Sequence, residues 1–147
     1  MKITVRRAEL QDMDWLVTRF EKADKVYPIQ IEIFSWEFVE QRLVDMMTNH
    51  VLLVAEQGEE LIGYIGGYYA PHIFNPKIST LIQALWWVDE QRRGGRASYL
   101  LLKEFEKMGS VCDLIWLSFH RDTNIKDSSM ERLGYAKTEK WYLKENV

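Results

Sequence analysis

The sequence predicts a mixed α/β fold, a central sheet carrying helices on its faces in the order β-α-α-β-β-β-α-β-α-β. Three observations carry that expectation. Apolar residues recur at helical spacing in three separated stretches. Short apolar runs bounded by turn residues lie between them. The stretch Leu81 to Val88 is apolar almost without a break, as in a strand buried on both faces. At 147 residues, with 47% apolar and 28% charged side chains, the chain suits a single domain spanning 1–147 with a real core.

Ile3 to Arg6 reads as the first strand. Asp12 then caps a helix whose Met13, Leu16, Val17 and Phe20 share one face, and Pro28 ends that region. Ser35 caps a second helix with the stripe Trp36, Val39, Leu43, Met46 and Met47. Val51 to Ala55 and Leu61 to Tyr69 flank a Gln57-Gly58 turn and pair as an antiparallel hairpin. Gly63, Gly66 and Gly67 inside the second of these strands mark either a bulge or a close approach of another segment or a ligand. Pro71 to Pro76 is a loop, and Leu81 to Val88 is the central strand. Ala97, Leu101, Phe105 and Met108 align on a third helix that stops at Gly109. Leu114 to Phe119 is a fifth strand, Lys126 to Leu133 a short helix ended by Gly134, and Tyr135 to Lys144 a terminal strand or two.

Composition narrows the function classes. A formal charge of −3 gives no general reason for a polyanionic partner. Three arginines in one turn make a poor surface for tracking nucleic acid. With Cys112 as the sole cysteine, no intrachain disulfide forms and a reducing cytoplasm is expected; Cys112 itself suits a small buried apolar role. His50, His72 and His120 lie far apart, so no metal site is expected. The first residues lack the apolar core of a signal peptide, and no apolar run reaches membrane-spanning length, so no membrane partner is expected. Six tryptophans are many for this length and serve first as core and cleft walls.

The most informative stretch is the end of the central strand, Trp86-Trp87-Val88-Asp89-Glu90-Gln91, and the turn Arg92-Arg93-Gly94-Gly95-Arg96-Ala97 that follows. A glycine-rich turn that opens a helix presents free backbone N–H groups and the positive end of the helix dipole, a ready site for pyrophosphate. This turn and the element order resemble the GNAT superfamily of acyl-CoA-dependent N-acetyltransferases. The family signature, Gln/Arg-x-x-Gly-x-Gly/Ala, is met by Arg92, Gly95 and Ala97. A second register puts Arg93 and Ser98 at the outer positions, and the first keeps Ala97 at the tight one. Leu100-Leu101 matches the usual aliphatic pair, and Glu131-Arg132-Leu133-Gly134-Tyr135 resembles the family's C-terminal Leu-Gly segment. Val5-Arg6-Arg7-Ala8 followed by Asp12 is also family-like, although the usual proline is missing at Asp89.

The resemblance implies a GNAT fold, a mixed sheet of about six or seven strands flanked by about four helices. It implies transfer of an acetyl group from acetyl-CoA to a primary amine by direct attack in a ternary complex. The acceptor would be a small molecule or a protein amino group. The backbone N–H groups from Gly94 to Ser98 would hold the pyrophosphate, with Arg92, Arg93 and Arg96 adding charge. Trp86, Trp87 and Val88 would line the thioester and pantetheine, and Asn124 would reach the cofactor or else cap a turn. Exposed edge strands support homodimers in this fold, and nothing in the sequence selects an interface.

The catalytic groups depart from the family's pattern. Met130 stands where a general-acid Tyr is common, and a thioether donates no proton. Gln83 stands nearest to where a Glu base is common; it takes no proton but positions a water. Ser128 and Tyr135 are the remaining hydroxyl candidates, Tyr135 equally suiting the core. Asp89, Glu90 and His120 read as surface groups. The aromatic set Tyr27, Phe34, Trp36, Tyr68, Tyr69 and Phe74 either shapes an acceptor pocket or packs the core. Met130 and Gln83 also motivate an alternative: a catalytically silent GNAT-fold protein that binds acyl-CoA or a protein partner.

Overall fold

The computed structural model describes residues 1–24, 30–119 and 125–146. Its elements are β1 (Ile3–Arg7), α1 (Met13–Asp24), α2 (Trp36–Asn49), β2 (Val51–Gln57), β3 (Glu60–His72), β4 (Asn75–Val88), α3 (Arg96–Met108), β5 (Leu114–Trp116) and α4 (Asp127–Arg132). The five strands form one sheet in sequence order, antiparallel from β1 to β4 and parallel between β4 and β5. A parallel pair needs a crossover, and α3 supplies it.

Each face of the sheet has its own core. Ala97, Leu101 and Phe105 of α3 pack on Leu53, Ile65 and Leu81. On the opposite face Leu16 and Phe20 of α1 and Leu43 and Met46 of α2 cover Leu52, Val54 and Tyr64. The helical stripes read from the sequence are the stripes that are buried. No described helix is long and apolar enough to cross a membrane.

Five expectations change. The sheet has five strands among the described residues, not six or seven. Residues 135–146 form no strand, and Trp141 and Tyr142 are 86% and 89% exposed. An extended 135–144 would set Lys137 and Glu139 on one face and Lys140 and Lys144 on the other, so neither face is apolar enough to fix a register. The loop expected at Pro71 to Pro76 is a hairpin instead, with β3 running to His72 and β4 starting at Asn75. Asp12 does not cap α1 directly. Its carboxylate turns back from a short 3-10 turn to accept the Glu9 N–H at 2.8 Å and a two-pronged bond from Arg6 at 2.9 and 3.0 Å. Cys112, expected to be buried, is only half-buried and lies in the turn before β5.

Both readings of the β3 glycines hold. The pairing of β3 with β4 slips between Gly66 and Gly67, which leaves Ala84 as an extra residue on β4. A Cβ on Gly67 would drive into the Ile82 carbonyl and the ring of Phe105, so only glycine fits there. The bulge resets the side-chain alternation. Gln83 and Trp86 consequently face α3, and Leu85 and Trp87 face α1 and α2.

Candidate active site

The parallel pairing of β4 and β5 covers only Thr80, Ile82 and the residue between, opposite Leu114–Trp116. Past that point the two strands fork. Gln83 sits in the fork, 6% exposed, and its Oε1 accepts the Ser118 N–H at 2.8 Å. A side chain here replaces a backbone partner, so the ladder stops without leaving that donor unpaired.

Beyond the fork β4 is paired on one edge only among the described residues. Asp89 N–H donates to the Ile62 carbonyl at 2.8 Å, toward β3. In an extended strand adjacent residues aim their N–H and C=O to opposite sides, so Val88 and Trp86 aim theirs away from β3, into the fork. Arg93 Nε donates to the Val88 carbonyl at 2.8 Å while its guanidinium lies 4.5 Å from the Trp87 ring centroid. The N–H and C=O of Trp86 and the N–H of Val88 have no strand partner among the described residues. They form a short ladder edge open to an extended ligand.

The edge leads into the Arg/Gly turn. Glu90–Arg92 form a 3-10 turn, Gly94 takes φ +85°, and Gly95 is the N-cap of α3. Positive φ favours glycine at position 94. A Cβ on Gly94 would meet nothing within 4 Å, and one on Gly95 only the Arg92 carbonyl at 3.4 Å, so this side of the turn is open. The N–H groups from Gly94 to Ser98 donate no capping bond among the described residues and point along the start of a 13-residue helix. Ala97 is buried under the turn, where a small side chain lets it close.

The three arginines of the turn have different jobs. Arg92 bonds through Nη1 to Gln57 Oε1 and lies 3.4 Å from Glu60 Oε2, tying the turn to the β2–β3 hairpin. Arg93 stacks on Trp87. Arg96 is exposed at the first turn of α3. Asp89, read from the sequence as a surface group, is a half-buried partner: Arg19 bonds both of its oxygens at 3.0 and 3.1 Å, and Trp87 Nε1 donates at 3.1 Å. Burial alone would raise this carboxyl's pKa, but the bonds from Arg19 and Trp87 outweigh it and hold the group below the usual carboxylate range. The ion pair fixes the end of β4 against α1, and the only sequence signal for it was the missing proline.

The hydroxyl candidates are placed, and Gln83 of the amide candidates. Tyr135 Oη donates to Glu106 Oε2 on α3 at 2.9 Å; burial, reinforced by Glu106, pushes its pKa well up. That bond pins the end of α4 to α3. Ser128 is exposed on α4, and Met130 accepts the Tyr135 N–H through its carbonyl at 3.0 Å. Asn124, His120 and Tyr27 lie outside the described residues. Trp86 packs 5.4 Å from the Phe119 ring across the fork. Among the described residues no group of three or more His, Cys, Asp or Glu is placed to hold a metal ion.

The GNAT acetyltransferase family model matches residues 10–135. The chain belongs to that family. The GNAT structures it resembles differ widely in sequence. A ribosomal-protein-alanine N-acetyltransferase from Brucella melitensis biovar Abortus 2308 superposes with a TM-score of 0.73 at 12% identity, covering 100% of this chain and 99% of its own. A predicted acetyltransferase from Clostridium acetobutylicum, solved with acetyl-CoA, gives 0.69 at 17% identity, with 99% and 96% covered. A GNAT family acetyltransferase from Staphylococcus aureus gives 0.67 at 18%, with 99% and 100% covered. At these identities the likeness shows the fold. No curated protein matches the sequence.

Proposed function

We propose that this GNAT protein is an N-acetyltransferase that moves the acetyl group of acetyl-CoA to a primary amine in a ternary complex. One observation carries the reading: the open edge of β4 at Trp86 and Val88 runs directly into a turn with free N–H groups at the start of α3. An extended, amide-bearing arm ending in a pyrophosphate is complementary to that sequence of donors and acceptors. The acetyl-CoA co-substrate supplies the activated thioester. This chain's residues bind and orient it: Trp86 and Val88 by backbone pairing, Gly94 to Ser98 by N–H groups, Arg96 by charge, and Ala97 by making room.

Direct attack needs the amine neutral and the thiolate tolerated as leaving group. A thiol of pKa about 8.5 leaves without an obligatory acid, which fits Met130 at the position of the common tyrosine. Gln83 is held by Ser118 and shapes the fork rather than carrying a proton.

A second reading has its own support. Tyr135 is committed to Glu106 and Gln83 to Ser118, so neither is poised to move a proton. A silent acyl-CoA-binding relative fits that arrangement. Calorimetric titration with acetyl-CoA and free coenzyme A, with Trp fluorescence in parallel, comes first. Micromolar binding, followed by coenzyme A release with amines, supports the enzyme. Binding with no turnover or hydrolysis supports the silent relative. No binding of either ligand defeats the cofactor assignment.

A further inference from the structure

A cavity of about 110 Å³ opens on the face of the sheet opposite α3. Phe20 of α1, Val39 and Leu43 of α2, and Leu85 of β4 form its wall. The rim is Phe38 and Tyr68, with the Arg42 guanidinium 5.1 and 5.6 Å from their ring centroids. Asp45 faces the same rim, 3.9 Å from Arg42 Nη1 and 3.6 Å from His50 Nε2. No carboxylate lines the cavity itself.

Leu85 links this cavity to the proposed reaction centre. Without the extra residue at Ala84, the alternation of β4 would turn Leu85 toward α3. With it, Leu85 forms the cavity wall while its neighbour Trp86 presents its backbone to the fork. Leu85 and Trp86 are adjacent on β4, so the cavity wall and the open edge meet at one peptide unit.

We infer that the acceptor is a small primary amine borne on an apolar body, aliphatic or arylalkyl, that fills this cavity. The inference rests on the acetyl-transfer reading and names its substrate class. A cavity of roughly 150 Å³ holds a benzene ring, so this one, at about 110 Å³, encloses a branched chain of about four or five carbons, and a larger ring would reach out past its open rim. The cation among its lining side chains disfavours polyamines and other polycations, which need carboxylates. In the transfer, the amine nitrogen forms a bond to the acyl carbon and the carbon–sulfur bond breaks. The sulfur keeps that electron pair, and the proton lost by nitrogen goes to the thiolate or to solvent.

The test uses the full chain. Acetyl-CoA binding is measured first by calorimetry. Coenzyme A release is then followed with straight-chain amines of increasing length, 3-methylbutylamine, phenethylamine and spermidine. kcat/KM is expected to rise about three- to fourfold per methylene up to an optimum, with spermidine at least about tenfold below that optimum. Val39→Phe fills the cavity and should move the optimum to shorter chains; Phe38→Ala, on the exposed rim, should move it to longer ones. A flat profile, a preference for spermidine, or an optimum that neither variant moves overturns the inference and leaves acetyl transfer standing. If acetyl-CoA binds and no amine turns over, Kd of the same amines for the coenzyme A complex gives the same profile or refutes it. If acetyl-CoA does not bind, both readings fall.

Discussion

Thr80 to Ile82 and Trp86 to Val88 belong to one strand, yet among the described residues the first three are paired on both edges and the last three on one. The first group is sealed between β3 and β5. The second leaves backbone donors and an acceptor facing a fork. Gln83 and the bulge at Ala84 separate the two regimes. One replaces a backbone bond with a side-chain bond to Ser118, and the other re-aims the side chains that follow. A sheet can thus be opened along part of one strand without orphaning a buried donor, and the released edge keeps backbone groups that an extended ligand could pair with.

The largest expected effect falls on the open half. Gly95 has extended backbone that any residue adopts, and its Cβ would have room. Gly95→Asp should therefore fold, with a thermal midpoint equal to or above that of the parent, since aspartate is a favoured N-cap. It also plants a carboxylate among the N–H groups. Acetyl-CoA affinity should fall by about 100-fold or more through like-charge repulsion, read by calorimetry beside a melting curve. Unchanged affinity would remove the turn from the binding site.

Gln83→Leu attacks the divider. It removes the acceptor from Ser118 N–H, and an unsatisfied buried donor costs about 1–3 kcal/mol. Denaturant unfolding should show a loss in that range, and acetyl-CoA should bind more weakly because the fork is no longer held at one width. Full stability in the variant would mean that water or a shift in the backbone replaces the bond.

How much of this was legible beforehand follows from what each residue interacts with. The stripe Ala97, Leu101 and Phe105, the β2–β3 hairpin and the turn at Gly94 and Gly95 are set by neighbours in sequence, so periodicity and turn chemistry reveal them. The bulge was half legible: Gly66 and Gly67 announced a break, while the odd residue, Ala84, sits on the partner strand. Tertiary partners were hidden. Nothing local says that Gln83 meets Ser118, that Asp89 meets Arg19 or that Tyr135 meets Glu106, because those contacts span 35, 70 and 29 residues. The missing sixth strand was misread because Tyr135 to Lys144 alternates in places without ever giving one apolar face.

The Asp89–Arg19 pair separates the halves by pH. The folded carboxyl titrates below its unfolded value, so its contribution is fully present above about pH 4 and is lost as pH falls through the lowered value. Asp89→Asn should cost about 1 kcal/mol at neutral pH, the range of a part-exposed pair. The gap between parent and variant should close in acid. A gap that stays constant from pH 7 to pH 3 would mean that the charge on Asp89 does not hold the strand end.

The smallest effect discriminates among the arginines, which the sequence left equivalent. Arg92 spends its guanidinium on Gln57 and Glu60, on the hairpin side of the turn. Arg93 spends its own on Val88 and Trp87. Arg96 stands exposed where the free N–H groups begin. Removing a charge-assisted phosphate contact costs about 1 kcal/mol, so Arg96→Ala should weaken acetyl-CoA binding about fivefold, with an effect that shrinks at high salt. Arg92→Ala should change affinity by less than about twofold and show itself mainly as a small loss of stability at the β2–β3 hairpin. The reverse ranking would mean that Arg92 leaves Gln57 when the ligand binds, and that the turn closes on the pyrophosphate rather than receiving it preformed.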